Sequence, residues 1–294
     1  MTNPEVRSFH LGLTGYPLGH SLSPVLQASA LQACGLRGGY SAFPISPQDE
    51  KGLRELISGM RHGNLDGLNV TIPHKHTIIP FLDKLTPVAQ AIGAVNTIYC
   101  RKGIVIGENT DAPAFISDLK RFLGERDPGL GRSALVIGAG GSARAVVFAL
   151  NNDGWDVTIT SRRIEQAGDL ATLLGADSVK VMDLEQFNPE GFHLVVNTTP
   201  LGMSPHIDQS PWPEKTGFPA GAVIYDLVYN PHDTKLVKDA QAHGLHATTG
   251  LGMLVEQAIL SFEIWTGCRP PRDVLLNAAS RSLKTEFRQS TAGD

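Results

Sequence analysis

Ala134 to Ile137 reads as a short apolar strand, and it runs directly into Gly138-Ala139-Gly140-Gly141-Ser142-Ala143 and then an apolar helix. This G-x-G-x-x-A spacing constrains the fold more than any other stretch. Gly138 permits a tight turn, Gly140 lets the backbone approach a pyrophosphate, and Ala143 lets the helix pack closely on the strand. Gly141 and Ser142 open the helix, whose N-terminus would face the phosphates. The region therefore reads as the start of a Rossmann-type βα series that holds a dinucleotide. Its second strand, Val157 to Thr160, ends in Ser161-Arg162-Arg163 where an NAD-binding unit usually carries Asp or Glu for the ribose hydroxyl. Two guanidinium groups suit a 2′-phosphate and favour NADP, the alternative being two solvated arginines on a surface loop.

The remaining pattern is that of an α/β protein with largely parallel sheets. Strands are expected at Phe9 to Thr14, Tyr40 to Ile45 and Leu65 to Val70, with a helix from Pro24 towards Cys34 and another from about Pro47 to Met60. Ala94 to Arg101, Lys102-Gly103 and Ile104 to Gly107 form an expected hairpin. A helix over Pro113 to Leu123 gives way to the Gly- and Pro-punctuated run Gly124 to Gly131, a candidate domain boundary.

At 294 residues, 41% hydrophobic and 18% charged, the chain is long enough for one large or two ordinary globular domains. A net charge of -4 supplies no basic field, so neither nucleic acid nor an anionic membrane is an expected partner. The start, Met1-Thr2-Asn3-Pro4-Glu5, has no leader pattern and no later run is apolar enough to span a bilayer, which makes the cytoplasm the expected location. Cys34, Cys100 and Cys268 are far apart and lack metal-ligand spacing, so they read as buried or idle thiols without a disulfide framework. The ten histidines show no paired ligand spacing apart from His20, His74 and His76, and no metal is expected.

The first half of the chain concentrates polar groups. Gly15-Tyr16-Pro17-Leu18-Gly19-His20-Ser21-Leu22-Ser23-Pro24 sets two hydroxyls just before a helix, where they either converge on a carboxylate or, in the case of Ser23, cap the helix. Asn69-Val70-Thr71 ends a strand and turns through Pro73 to Lys75. Ligands of open α/β sheets bind beyond the carboxyl ends of strands, where Thr71 and Lys75 would lie. Asn96 and Thr97 add an amide and a hydroxyl, and Asn109-Thr110-Asp111 adds a carboxylate. Taken singly, Lys75 reads equally well as a surface lysine and Asp111 as a helix cap.

These motifs occur together and in order. Gly-x-Pro-x-x-His-Ser-x-Ser-Pro over 15–24, Asn69-Val70-Thr71-x-Pro-x-Lys75, Gly93-Ala94-Val95-Asn96-Thr97, Asn109-Thr110-Asp111, Gly138-Ala139-Gly140-Gly141, Asn197-Thr198-Thr199-Pro200-Leu201-Gly202-Met203 and Gly250-Leu251-Gly252-Met253-Leu254-Val255-x-Gln257 resemble, from end to end, the shikimate dehydrogenase family. The resemblance implies a substrate domain over 1–112, an NADP-binding Rossmann-like domain over 113–249, and C-terminal helices over 250–294 that return to the first, with the two domains embracing a cleft. It implies reversible NADPH-dependent reduction of 3-dehydroshikimate to shikimate in aromatic amino acid (chorismate) biosynthesis, by a monomer or homodimer. By the same resemblance Lys75 and Asp111 match the catalytic pair. Ser21, Ser23 and Tyr229 match groups on the substrate carboxylate, and Thr71, Asn96 and Gln257 match ligands of the ring hydroxyls. The cofactor set is Gly138, Ala139, Gly140, Gly141, Ser142, Ala143, Ser161, Arg162, Arg163, Thr198, Leu227 and Gly250.

Three positions depart from the family pattern. Ala112 follows Asp111 where glycine is common, Ala28 stands at an asparagine position, and Ser161-Arg162-Arg163 replaces Asn-Arg-Thr. The last exchange leaves open which arginine meets the 2′-phosphate and how far NAD is tolerated. A quinate/shikimate dehydrogenase shares nearly every motif and is the alternative within the enzymes. A non-catalytic dinucleotide-binding regulator would keep the glycine turn but lose Lys75 or Asp111, and both are present.

Overall fold

The computed structural model describes residues 7–19, 21–124, 131–175, 178–183 and 187–291, with side chains as far as 285. The chain forms two compact units, one of residues up to Thr110 with Val255–Thr285, the other of Asp111–Leu254 with the residues from Glu286 on. Glu125 to Leu130, the greater part of the punctuated run, and His20 lie outside the described residues.

The first unit runs β1 (Ser8–Gly15), α1 (Ser23–Ala33), β2 (Arg37–Pro44), α2 (Glu50–Arg61), β3 (Gly67–Val70), α3 (His74–Thr77), β4 (Lys84–Leu85), α4 (Pro87–Ile92), β5 (Thr97–Arg101) and β6 (Ile104–Glu108). Its sheet has the order β2-β1-β3-β5-β6-β4. β1 pairs in parallel with β2 and β3, whereas β5 is antiparallel to both β3 and β6. The β5–β6 connection is the expected hairpin, and Lys102 (φ 52°) and Gly103 (φ 78°) both adopt the left-handed backbone that its two-residue turn requires. α2 begins at Glu50, later than the pattern suggests, because the Asp49 side chain accepts the Gly52 N–H at 2.9 Å and caps the helix there. Leu53, Ile57 and Met60 of α2 bury against Leu68, Val95, Ile98 and Val105, so one helix face closes one side of the sheet.

The second unit runs α5 (Asp111–Leu123), β7 (Ser133–Ile137), α6 (Gly141–Asn152), β8 (Asp156–Thr160), α7 (Ile164–Gly175), β9 (Val179–Met182), β10 (Leu194–Asn197), β11 (Val223–Asp226), α8 (Lys235–Ala242) and β12 (His246–Thr249). The chain continues through α9 (Leu251–Thr266) and α10 (Arg272–Thr291). Every pair in the order β12-β11-β10-β7-β8-β9 is parallel. Counted from β7, this is the 3-2-1-4-5-6 arrangement of a doubly wound dinucleotide-binding sheet, with the order reversing between β7 and β10. The runs Leu194–Asn197 and Val223–Asp226 are buried throughout, as strands covered on both faces must be. Among the described residues no helix is long and apolar enough to cross a membrane.

The structure corrects the expectation for the cysteines. Cys34, just past α1, and Cys268, just past α9, form a disulfide with Cα atoms 6.5 Å apart, and only Cys100 is free. The two are 234 residues apart in sequence. Spacing rules read only local patterns, and this pair meets only because the residues after 254 rejoin the first unit.

Candidate active site

In the first unit the polar groups collect at the carboxyl ends of β1 and β3 and at the start of β5. Thr71 follows β3, its N–H donating to the Thr14 carbonyl (2.9 Å) and its own carbonyl accepting from His74 N–H (2.9 Å). The Tyr16 N–H donates to the Ile72 carbonyl (3.0 Å), which binds the two strand-end loops together. A Cβ on Gly15 would sit 2.4 Å from Thr71 Cγ2, so only glycine allows this approach. Lys75 is held on the short α3 by its backbone, with its carbonyl accepting from Val95 N–H at 2.7 Å. His74 next to it is 1% exposed, and its Nε2 lies 2.7 Å from the Ile45 carbonyl. That histidine anchors the turn.

Ser23 does not cap α1. The residue preceding the helix is Leu22, no side chain caps it, and Ser21 Oγ accepts the Ser23 N–H at 3.3 Å. The Ser23 hydroxyl instead hydrogen-bonds Tyr40. Burial pushes the Tyr40 phenol far up, with Ser23 offsetting a part, so it stays neutral and donates a hydrogen bond to Asn69 Oδ1 at 2.8 Å. Asn69 Nδ2 lies within hydrogen-bonding distance of the Asn96 carbonyl (3.2 Å), Thr97 Oγ1 (3.3 Å) and Ser261 Oγ (3.1 Å). Ser261 and Thr97 hydroxyls are 2.7 Å apart, and Ser261 donates to the Gln257 carbonyl at 2.9 Å. Asn96, 2% exposed, donates from Nδ2 to Thr110 Oγ1 (2.9 Å) and accepts the Thr110 N–H (2.7 Å).

One network thus carries Ser23, Asn96 and Gln257, and its satisfied buried members hold those positions rigidly. Asn69, Thr97 and Thr110 lie within the motifs read from the sequence, whereas Tyr40 and Ser261 are the members that motif spacing passed over. Ser261 sits one helical turn after Gln257, the one periodic clue available. Asp111, 5% exposed, is the first residue of α5 and belongs with Tyr229 to the second unit.

The second unit assembles the cofactor set around the end of β7. Gly138 has φ 114°, and a Cβ there would lie 2.5 Å from Thr198 Oγ1. Thr198 is fixed by its N–H (2.9 Å) and hydroxyl (2.8 Å), both donating to the Ile137 carbonyl. Gly140 precedes α6 with no side-chain cap, so the first N–H groups of that helix, those of Gly141, Ser142 and Ala143, have no intrahelical acceptor, and Arg144 is the first to donate back, to the Gly140 carbonyl at 3.1 Å. This is the donor set that a pyrophosphate satisfies. A Cβ on Gly250 would be 2.3 Å from the Leu227 carbonyl oxygen, and the Leu227 N–H donates to the Asn197 carbonyl at 2.9 Å. Leu227 and Gly250 therefore stand together beside Thr198. At the end of β8, Arg163 N–H donates to Ser161 Oγ (3.3 Å). The Arg162 and Arg163 side chains are exposed and, among the described residues, without an acidic partner. Uncapped N–H groups, a crowded glycine and two uncommitted guanidinium groups fit an NADP-type dinucleotide.

Asp226, 0% exposed at the end of β11, accepts from Asn197 Nδ2 (2.8 Å), Val228 N–H (3.0 Å) and the Thr234 hydroxyl (2.7 Å). Burial pushes its carboxyl up to about 6 from 3.8, with the three donors offsetting a part. A group that binds its proton more tightly folded than unfolded stabilises the fold at low pH and loses that contribution as pH rises. Stability should therefore fall by about 3 kcal/mol between roughly pH 4 and pH 6 from this group alone. Asp226→Asn should flatten that fall in urea titrations across the window, and an unaltered pH dependence would assign it elsewhere.

Two family models match the chain: the shikimate dehydrogenase substrate binding domain over residues 13–98 and the shikimate 5'-dehydrogenase C-terminal domain over residues 250–279. A shikimate dehydrogenase (NADP(+)) of Carboxydothermus hydrogenoformans is 40% identical over 276 residues, covering 92% of this chain and 96% of that protein. The crystal structure of a shikimate dehydrogenase in complex with NADP+ matches with a TM-score of 0.86 at 36% identity, over 94% of this chain and 96% of the other. That of the Thermus thermophilus shikimate 5-dehydrogenase, in complex with NADP(H) and shikimate, matches with a TM-score of 0.82 at 36% identity, over 94% of this chain and 100% of the other. With motifs, fold and relatives in agreement over nearly its whole length, the chain belongs to the shikimate dehydrogenase family.

Proposed function

We propose that this chain is an NADP-dependent shikimate dehydrogenase that interconverts 3-dehydroshikimate and shikimate in the cytoplasm. The observation that carries the proposal is the hydrogen-bonded network of Ser23, Asn96 and Gln257 at the strand ends, with Lys75 on the adjoining turn. Neutral donors and acceptors held this rigidly suit a small polyhydroxylated ligand. A site built to hydrogen-bond hydroxyls rejects analogues that lack them by large factors. Ser21, Ser23 and Tyr229 take the carboxylate, and Thr71, Asn96 and Gln257 take the ring hydroxyls.

When bound, the nicotinamide supplies or accepts the hydride. As the ring ketone is reduced, negative charge develops on its oxygen, and the Lys75 ammonium donates a proton to that oxygen. In the oxidative direction Lys75 accepts the alcohol proton. Asp111 orients the ammonium and accepts a hydrogen bond from the neighbouring hydroxyl. The residue before it, Thr110, has its N–H and hydroxyl both tied to Asn96.

The decisive experiment compares kcat/KM for shikimate and quinate, each with NADP and with NAD. Preference for shikimate and NADP is the expected outcome, and efficient quinate turnover would replace the proposal with the broader quinate/shikimate activity. For the cofactor loop, each charge-assisted contact to the 2′-phosphate is worth roughly 1.5 to 3 kcal/mol. Replacing Arg162 and Arg163 together by alanine should raise KM for NADP by tens to hundreds of fold and leave NAD kinetics nearly unchanged. Equal losses with both cofactors would mean that the arginines shape the adenine pocket or the loop itself.

A further inference from the structure

The opposite end of the first unit's sheet carries a cavity of about 340 Å³ whose lining includes Arg7, Arg61, Arg101, Asp66, Tyr99 and Trp265. Its position is set by the strand register. Tyr99 pairs with Gly67 at the amino end of β3, and Asp66 precedes that strand, its N–H donating to the His10 carbonyl (2.7 Å). Thr71, at the carboxyl end, is four residues further on, roughly 13 Å along an extended strand.

The charges in this cavity are unbalanced. Arg7 pairs with Asp66 (2.8 Å), and Arg61 pairs with Asp83 (2.6 Å). The Asp83 carboxyl is in turn lowered from its ordinary value, first by the Val105 N–H and then by Arg61. Arg101 is different. Its guanidinium lies 5.0 Å from the centre of the Tyr99 ring, and among the described residues no carboxylate partners it. Three guanidinium groups thus face two carboxylates, Asp66 in the lining and Asp83 behind Arg61, and Arg101 is the charge left over. A guanidinium stacked on a ring is oriented at little entropic cost, with its fork of N–H donors left for a planar oxyanion. The aromatic wall is equally fixed. Trp265 is 7% exposed, its indole N–H donates to the Ile98 carbonyl at 3.0 Å, and its ring lies where a Gly67 Cβ would be, 2.3 Å from the nearest atom. Burial raises the Tyr99 hydroxyl above its ordinary value, which keeps it a neutral donor.

We propose that this cavity binds a small aromatic oxyanion, a ring bearing a carboxylate or phosphate, with Arg101 taking the charged group alongside Arg7 and Arg61 and the ring resting against Tyr99 and Trp265. The size suits such a ligand, since small-molecule sites begin at about 300 Å³. The site lies wholly within the first unit and uses none of the residues assigned to catalysis.

Phenyl phosphate and benzoate are the probes, titrated at low ionic strength into the 15N-labelled full-length protein with and without saturating shikimate. The chain has three tryptophans, and Trp155 and Trp212 lie in the second unit, so the indole resonance lost in Trp265→Phe reports this cavity alone. That one resonance should shift with a Kd below about 1 mM for at least one probe, and the stronger probe identifies the charged group. Arg101→Ala should weaken binding at least tenfold with kcat for shikimate unchanged, and saturating shikimate should leave binding intact. The proposal is overturned if neither probe moves the Trp265 resonance at about 10 mM, if Arg101→Ala binds like the parent protein, or if shikimate displaces the probe.

Discussion

Lys75→Ala is expected to lower kcat by about 10² to 10⁴ while changing KM for shikimate much less, because the ammonium acts on charge that exists only as the carbonyl is reduced. The turn that carries Lys75 is held by groups other than the amine. Lys75 holds its turn through its backbone carbonyl, bonded to Val95 N–H, and the turn is anchored by His74 against Ile45, so neither contact needs the amine. Steady-state rates in both directions test it, and near-normal kcat in the alanine variant would remove Lys75 from the mechanism.

Asp111→Asn is expected to lower kcat by about a hundredfold or more with the fold intact, since the amide keeps the shape but loses the charge that orients an ammonium. The rival role is specific. Asp111 is the first residue of α5, where a carboxylate is favoured by the helix dipole and a change to a neutral residue costs about 0.3–1 kcal/mol. Asparagine suits a helix start nearly as well as aspartate. A structural role therefore predicts a slightly lower melting temperature and full turnover, and a catalytic role predicts the reverse. Melting temperature and kcat measured on the same preparation separate them.

In the second unit the start of the βα series is legible in the sequence, at β7, the glycine turn and β8, while β9 to β12 are not read individually. Its central strands β7, β10 and β11 are almost wholly buried and are short apolar runs, and the turn at Gly138 marks the start of the doubly wound order. The first unit is mixed, and there the two-residue turn at Lys102-Gly103 announces the antiparallel part while β2 begins at Arg37, earlier than its apolar residues suggest. For the candidate site, the strand-end positions of Thr71 and Lys75 can be read from the sequence because loops after strands carry ligands. The network behind Asn96 cannot. It joins Asn69 and Thr97 to Ser261, and contact across 164 residues leaves no local pattern in a single sequence. The Cys34–Cys268 pair escapes a reading of spacings for the same reason.

That disulfide makes the chain topologically closed between residues 34 and 268. The whole second sheet, from β7 to β12, is part of that one covalent ring. A single backbone cut anywhere within that ring opens a loop without releasing a fragment, and the two pieces part only when the sulfur bridge is reduced. For this molecule, an intact band on a non-reducing gel is no proof of an intact backbone.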